Sequence, residues 1–266
     1  MIAPLPVPQQ YLGVWQRKHL ESASGVDDSS QVFWLQTPVL HADIRIPADR
    51  PAFRNKTSLQ DFSQYELRQL AAQKGFAGET SVVGKSCLWL RHLDYQPARN
   101  EHDIGYMEFK GNQLVETGLA NNYFEIWERL PDSQGAAYAF QFSETNSTCH
   151  SATAQAGILV VSGDYFIFVR DRAAVLPSAL SLDALLSEAT LSRQQCIELL
   201  DFEVSFGRVA GGKSPWEIQL STLPFREGMA LFSETGWAAI TKAQGEYSQQ
   251  VQSANGLLSR HWFSYN

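Results

Sequence analysis

The chain has 266 residues, a formal net charge of −7, and 44% hydrophobic and 12% aromatic side chains. That apolar content excludes an intrinsically disordered chain, and an acidic balance without a dense Lys/Arg run argues against a nucleic-acid partner. Seven Trp, nine Tyr and fifteen Phe suit half-buried pleated strands better than a helical bundle.

Cys87, Cys149 and Cys196 are widely spaced and odd in number, with no CxxC pair, so reduced thiols in a cytoplasmic setting are expected. The stretch 1–10 is Pro-rich and apolar but lacks the basic and long hydrophobic regions of a signal peptide. No run approaches the ~20 apolar residues of a membrane helix, and no membrane partner is expected.

Apolar and polar residues alternate with period two through most of the chain. Residues 11–20 read as a strand with Gly13, Trp15 and Arg17 on one face and Leu12, Val14 and Gln16 on the other. A strand at 31–37 follows. After Thr37-Pro38 comes 40–46, with Leu40, Ala42, Ile44 and Ile46 on one side and His41, Asp43 and Arg45 on the other, ended by Pro47 and Pro51. A helix is predicted over 58–74: Ser58 and Asp61 have near capping-box spacing, Phe62, Tyr65, Leu67 and Leu70 form a stripe, and Gly75 supplies a stop. A single helix in a run of strands suggests a lid or plug on a barrel end.

Strands resume at 86–95 and 102–109, and Lys110-Gly111-Asn112 turns the chain into 113–117. A strand at 123–129 precedes the polar break 131–135, which divides the chain into an N-terminal domain, 1–135, and a C-terminal domain, 136–266. Strands at 137–142, 157–161 and 165–170 follow, then short helices at 181–188 and 192–200, the second with Ser192 and Gln195 in capping-box spacing. Further strands are predicted at 202–208, 216–220, 237–240, 247–251 and 257–263, with no residue-level repeat between the halves.

With the strands placed, Gly13-Val14-Trp15 resembles the G-x-W signature that opens lipocalin and related calycin barrels. In that superfamily the Trp closes one barrel end and usually packs under an Arg. The resemblance implies that role for Trp15, with Arg129 or Arg91 as the Arg. The chain is too long for a single lipocalin and has no evident T-D-Y element. Its length and helix pair look more like two-barrel calycin-like proteins, including a fungal family that binds a kinase and relatives of bacterial carotenoid hydratases. The expected fold is therefore mostly β: an antiparallel calycin-like (lipocalin-like) barrel, two barrels in all, with a few short helices.

Three constellations bear on chemistry. Residues 207–214 fit G-x-x-x-x-G-K-[ST], but a phosphate-cradling loop needs a helix starting at Lys213, and Pro215 and an alternating 216–220 follow instead. The segment reads as a Gly-rich hairpin. His41 and Asp43 form an H-x-D on one strand face, and with His92 or His102 they could make a facial-triad iron site; the plainer reading is a strand with one polar face. Neither metal nor other cofactor is expected.

The third constellation is a mixed lining. Tyr123, Glu125, Trp127 and Arg129 share one strand face, Cys87, Trp89, Arg91 and Tyr95 another, and Glu116 lies on the hairpin between these strands. If those faces look into one lumen, Trp15, Trp34, Trp89, Tyr123 and Trp127 supply contact area, and Arg45, Arg91 and Arg129 orient a ligand, a carboxylate on it being one group they would hold. The leading expectation is thus binding of a small hydrophobic or amphipathic molecule without chemistry. The alternatives are a hydratase or isomerase using Glu116 or Glu125 with Tyr123 or His92, an iron oxygenase using His41 and Asp43, or an interaction scaffold with solid barrels.

Overall fold

The computed structural model describes residues 6–98, 102–146, 154–188, 190–242, 245–253 and 256–265. The first half runs β1 (Gly13–Ser22), β2 (Gly25–Val26), β3 (Gln31–Gln36), β4 (Leu40–Ile46), α1 (Gln64–Leu70), β5 (Lys74–Val83), β6 (Ser86–Asp94), β7 (Asp103–Lys110), β8 (Gln113–Gly118) and β9 (Tyr123–Arg129). Every pairing is antiparallel, and β9 returns to pair with β1 from Trp15↔Arg129 to Ser22↔Tyr123. That last ladder closes an eight-stranded barrel, with β2 as a short flap on β1. Closure leaves the eight strands without a free edge.

The second half comprises β10 (Ala137–Asn146), β11 (Gln155–Ser162), β12 (Tyr165–Arg170), α2 (Leu182–Leu186), α3 (Arg193–Leu200), β13 (Glu203–Arg208), β14 (Glu217–Ser221), α4 (Glu234–Lys242), β15 (Glu246–Ser253) and β16 (Gly256–Ser264). Its strands form one antiparallel sheet in the order β14-β13-β12-β11-β10-β16-β15. Among the described residues no ladder joins β14 to β15, so the second closed barrel expected from sequence is here a second sheet. One face of that sheet is aromatic, with Phe142, Phe166, Phe168 and Trp262 packed under Phe232 and Ile240. Its other face lies on the first barrel.

The seam between the halves follows from strand alternation. In β4, Leu40, Ala42, Ile44 and Ile46 face outward into a shared core with Ile158, Val160, Ile167, Val204 and Phe206 of the second sheet. Phe33 of β3 stacks on Phe206 at 4.2 Å between centroids. Helix α1 also joins this seam, because its Leu67 and Leu70, with Phe62 just before it, pack with Leu185, Leu186 and Ile197 of α2 and α3. It is neither a lid nor a plug on the lumen.

Two predicted elements differ from the observed ones, and one long observed strand was not predicted. The helix expected over 58–74 reduces to a 3-10 turn, Leu59–Asp61, and α1, whose true cap is Ser63 with Glu66. Strand β5 then starts at Lys74; Gly75 and Gly78 mask it, since glycine weakens a strand pattern. Both are there because neighbours come close. A Cβ on Gly75 would sit 2.8 Å from Val204, and one on Gly78 1.9 Å from the Leu90 carbonyl oxygen. The strand expected at 237–240 is helix α4: a short apolar run is ambiguous in period, and the Ser233 hydroxyl accepts from Gly236 N at its start. Residues 207–214 run from the end of β13 into the β13–β14 connection, as expected of a hairpin, and no helix begins there.

Candidate functional site

The opposite faces of the barrel strands meet in the lumen. Trp15, Val32, Trp34, Phe76, Cys87, Trp89, Met107, Leu114 and Trp127 form one buried cluster, every second residue of their strands. The lumen is therefore aromatic by alternation, and the polar residues in the same parity must point into it too. Asp43 and Glu116 do so, almost completely buried.

The end where β1 begins is shut. A 3-10 turn, Gln9–Tyr11, crosses it, and the Trp15 indole N–H donates to the Tyr11 carbonyl at 2.8 Å. The Arg129 guanidinium lies 4.4 Å from the Trp15 ring centroid and donates to the Gln10 carbonyl at 2.6 Å. Of the two arginines the G-x-W resemblance offered, Arg129 takes the position over the tryptophan. Gly13 has φ 114° and a Cβ there would meet Ser133 Oγ at 2.9 Å, which explains glycine at the head of the motif.

At the other end, where β4, β6 and β8 finish and β5, β7 and β9 start, the polar groups gather. A small cavity is lined by Trp34, Asp43, Arg45, Phe76, Trp89, Asp103, Glu116 and Trp127, with a free volume of about 10 Å³. That is room for about one water. Its aromatic walls meet at right angles: Trp34 stands edge-on to Trp89 at 5.6 Å and to Trp127 at 6.1 Å. The Trp34 indole N–H is buried without a hydrogen-bond partner.

The charges around this cavity are mostly paired within the chain. Arg45 grips Asp43 with two hydrogen bonds, 2.8 and 3.2 Å, and lies 3.6 Å from Glu125. Arg17 bridges Glu125 and Asp27. Arg91 bridges Asp94 and Asp103 while its guanidinium stacks 3.6 Å from the Phe76 centroid. Such forked pairs fix side chains as well as neutralising them.

Glu116 is different. It sits directly opposite Glu125 in the β8–β9 register, on the same inward face, and has no ion pair among the described residues. Tyr123 donates to one of its oxygens at 2.6 Å and Trp127 to the other at 3.0 Å. Burial and the nearby Glu125 charge push the Glu116 carboxyl well above the ordinary carboxylate range. Burial also raises Glu125, against the pull of Arg45 and Arg17. Two guanidiniums oppose the rise at Glu125 and no ion pair opposes it at Glu116, so Glu116 is the more strongly raised of the two. Burial raises the Tyr123 phenol as well, so it stays a neutral donor.

The structure thus brings together Trp34, Asp43, Arg45, Trp89, Glu116 and Trp127 at the cavity, with Tyr123 and Glu125 behind Glu116 and Arg91 at the rim. Trp15 and Arg129 belong to the closed end. His41 is fully buried to one side: Nδ1 lies 3.0 Å from the Thr80 hydroxyl, Nε2 has no partner, and burial lowers its pKa to about 3. Asp43 is engaged by Arg45, His92 is exposed, and among the described residues no set of three or more His, Cys, Asp or Glu gathers for a metal. Tyr95 leaves the expected lumen face, because a bulge opposite Ala77–Gly78 inserts one residue into β6 and turns it into the core between the halves.

Three lining or supporting residues escaped the sequence reading. Phe76 lay in the unrecognised β5. Asp103 carries the parity of Gly105, Met107 and Phe109, which was readable. Asp27 lies in a loop with no periodicity. Buried Cys87 has a thiol pushed up by its apolar surroundings and packs in the lumen; Cys149 lies outside the described residues.

Comparison of the chain with protein-family models, curated proteins and solved structures gave no match. The site is read from its own geometry. Among the described residues no helix is long and apolar enough to cross a membrane.

Proposed function

We propose that the first barrel is lipocalin-like in use as well as in shape: its lumen receives a small amphipathic molecule and holds it without chemistry. The observation that carries this reading is the unsatisfied Trp34 N–H in a cavity walled by three tryptophans and a phenylalanine, with paired carboxyls and guanidiniums at its rim. Apolar walls supply affinity and a few fixed polar groups supply orientation, the usual division of labour in a small-molecule site. The free space is about 10 Å³, so the ligand enters by displacing side chains at the rim. Arg45 and Arg91, with side chains 25% and 31% exposed, are the ones able to swing outward. The second sheet then serves as a buttress on the outer face of β3 and β4.

The test is intrinsic tryptophan fluorescence of the full chain against fatty acids, retinoids and bile pigments, together with native mass spectrometry for a co-purifying molecule. Saturable quenching that is lost on filling the cavity by Gly105→Leu supports the reading. Gly105 lies against the Glu116 side chain. No response and no bound mass would favour a solid barrel acting as a scaffold.

A second reading rests on the Glu116–Glu125 pair. Two facing carboxyls, one raised well above its ordinary range and the other pulled back by two arginines, approach the division an acid–base hydratase or isomerase requires. If the bound molecule is turned over, Glu116→Gln and Glu125→Gln must both abolish turnover while binding persists; turnover surviving in either variant rejects it.

A further inference from the structure

We infer that the polar end of the lumen ligand is a small organic ammonium group, seated against the aromatic walls where the Arg45 guanidinium now lies. This rests on the reading that the lumen binds a ligand at all. Three observations lead to the ammonium. First, the walls already hold cations: the Arg45 guanidinium carbon is 5.5 Å from the Phe76 centroid and 6.0 Å from that of Trp127, and Arg91 covers Phe76. Aromatic faces attract positive charge, most strongly where water is excluded. Second, the charges do not invite an anion. Each guanidinium at the rim faces at least two carboxylates, and Glu116 faces none of them in an ion pair. A ligand carboxylate would have to take an arginine from its partners, whereas an ammonium beside Glu116, which has no ion pair among the described residues, would draw the proton off that carboxyl and pair with it. Third, Arg45 is the cation that pairs with both Asp43 and Glu125 among the described residues, its side chain is 25% exposed, and leaving with its charge would vacate both space and carboxylates.

Arg45 is then a resident occupant that competes with the ligand, the reverse of an orienting group for a ligand carboxylate. The unsatisfied Trp34 N–H asks for an acceptor on the same ligand, such as a hydroxyl beside the ammonium.

The experiment is calorimetric titration of the full chain with 2-phenylethylamine, 2-phenylethanol and phenylacetate, three probes of one shape and different charge. The amine is expected to bind at least about tenfold more tightly than the other two. Arg45→Ala should tighten amine binding by about tenfold, and Glu116→Gln should weaken it by a similar factor. Because Arg45→Ala leaves Asp43 buried without a partner, the paired variant Asp43→Asn/Arg45→Met, which removes both charges, is measured beside it. Phenylacetate binding best, or Arg45→Ala abolishing binding, would overturn the ammonium while leaving a ligand-binding lumen intact. Binding of fatty acids, retinoids or bile pigments without any amine preference would overturn it in the same way. Silence of all probes in all variants would reject the binding reading itself.

Discussion

Replacing Glu116 with Gln removes the proton-binding group and keeps the shape of the neutral side chain. A carboxyl raised in the folded state binds its proton more tightly there than in the unfolded chain, so folding stability is greatest in acid and falls as pH rises above the ordinary value of 4.5. One proton limits the slope to about 1.4 kcal/mol per pH unit. Below pH 4.5 the variant and the natural chain should differ only by a rearranged hydrogen bond, about 1 kcal/mol, because Gln offers one acceptor where Tyr123 and Trp127 now find two. Above it, Glu116→Gln should gain on the natural chain with each pH step until the raised carboxyl ionises. His41 acts in the opposite sense: burial keeps it neutral in the fold down to about 3 against an ordinary 6.5, so it adds stability as pH rises through that window. Taking the difference between the two proteins cancels His41, since both contain it. Besides burial, the facing groups that set the Glu116 value are Glu125 and Tyr123 on β9, Asp103 on β7 and Arg45 on β4. Urea unfolding followed by tryptophan fluorescence from pH 4 to 8 measures the difference directly. A constant offset across that range would show that Glu116 titrates alike folded and unfolded, and the proton would not belong to it.

Glu125→Gln should behave unlike its neighbour, costing about 3 kcal/mol at neutral pH because it strips the buried Arg17 of a partner; the same urea titrations measure it, and a neutral result would contradict the pairing. His41 should show no imidazole titration between pH 5 and 8 by proton NMR, and a midpoint near 6.5 would mean that water reaches it. Gly78→Ala should lose about 3 kcal/mol or more, since the new methyl would overlap the Leu90 carbonyl oxygen, and a thermal melt within a few degrees of the natural chain would refute the bulge. Trp15→Ala should cost about 3 to 5 kcal/mol by opening the closed end of the barrel, read as a lowered urea midpoint.

Period-two alternation made most of the first barrel readable. The bounds of β4 and β9 follow from the pattern alone, and so does the fact that His41, Asp43 and Arg45 share a face. What alternation cannot say is which face looks inward, since both faces of β4 are buried, one by the lumen and one by the second sheet. Elements whose residues answer to distant neighbours were also hidden. Gly75 reads as a helix stop, yet it is glycine because Val204, far away in sequence, needs the space, and Gly78 weakens the strand pattern where the Leu90 carbonyl of the next strand comes close. The bulge in β6 moved Tyr95 out of the lumen for a similar reason: a one-residue insertion has no local signature, yet it reverses every later side chain.

The same alternation links the seam to the site. Asp43 and Arg45 face the lumen from a strand whose other side, Ala42 and Ile44, is clamped under Val204 and Phe206. A strand with both faces buried has little freedom to shift, so β4 holds Asp43 at a fixed depth while the Arg45 side chain, at the strand's open end, keeps a path to solvent. The second sheet therefore has a use even if its own aromatic face binds nothing: it converts one wall of the barrel into a rigid mount. The Phe33–Phe206 stack tests this in a way the lumen variants cannot. Truncating each to Ala, singly and together, should reveal a coupling of about 0.5 to 1.5 kcal/mol in stability. Loosening the mount should also weaken probe binding in the lumen, although neither ring is among the residues lining the cavity. Unchanged binding with reduced stability would mean that the barrel holds its own geometry, and the second sheet would have to be explained by some other task.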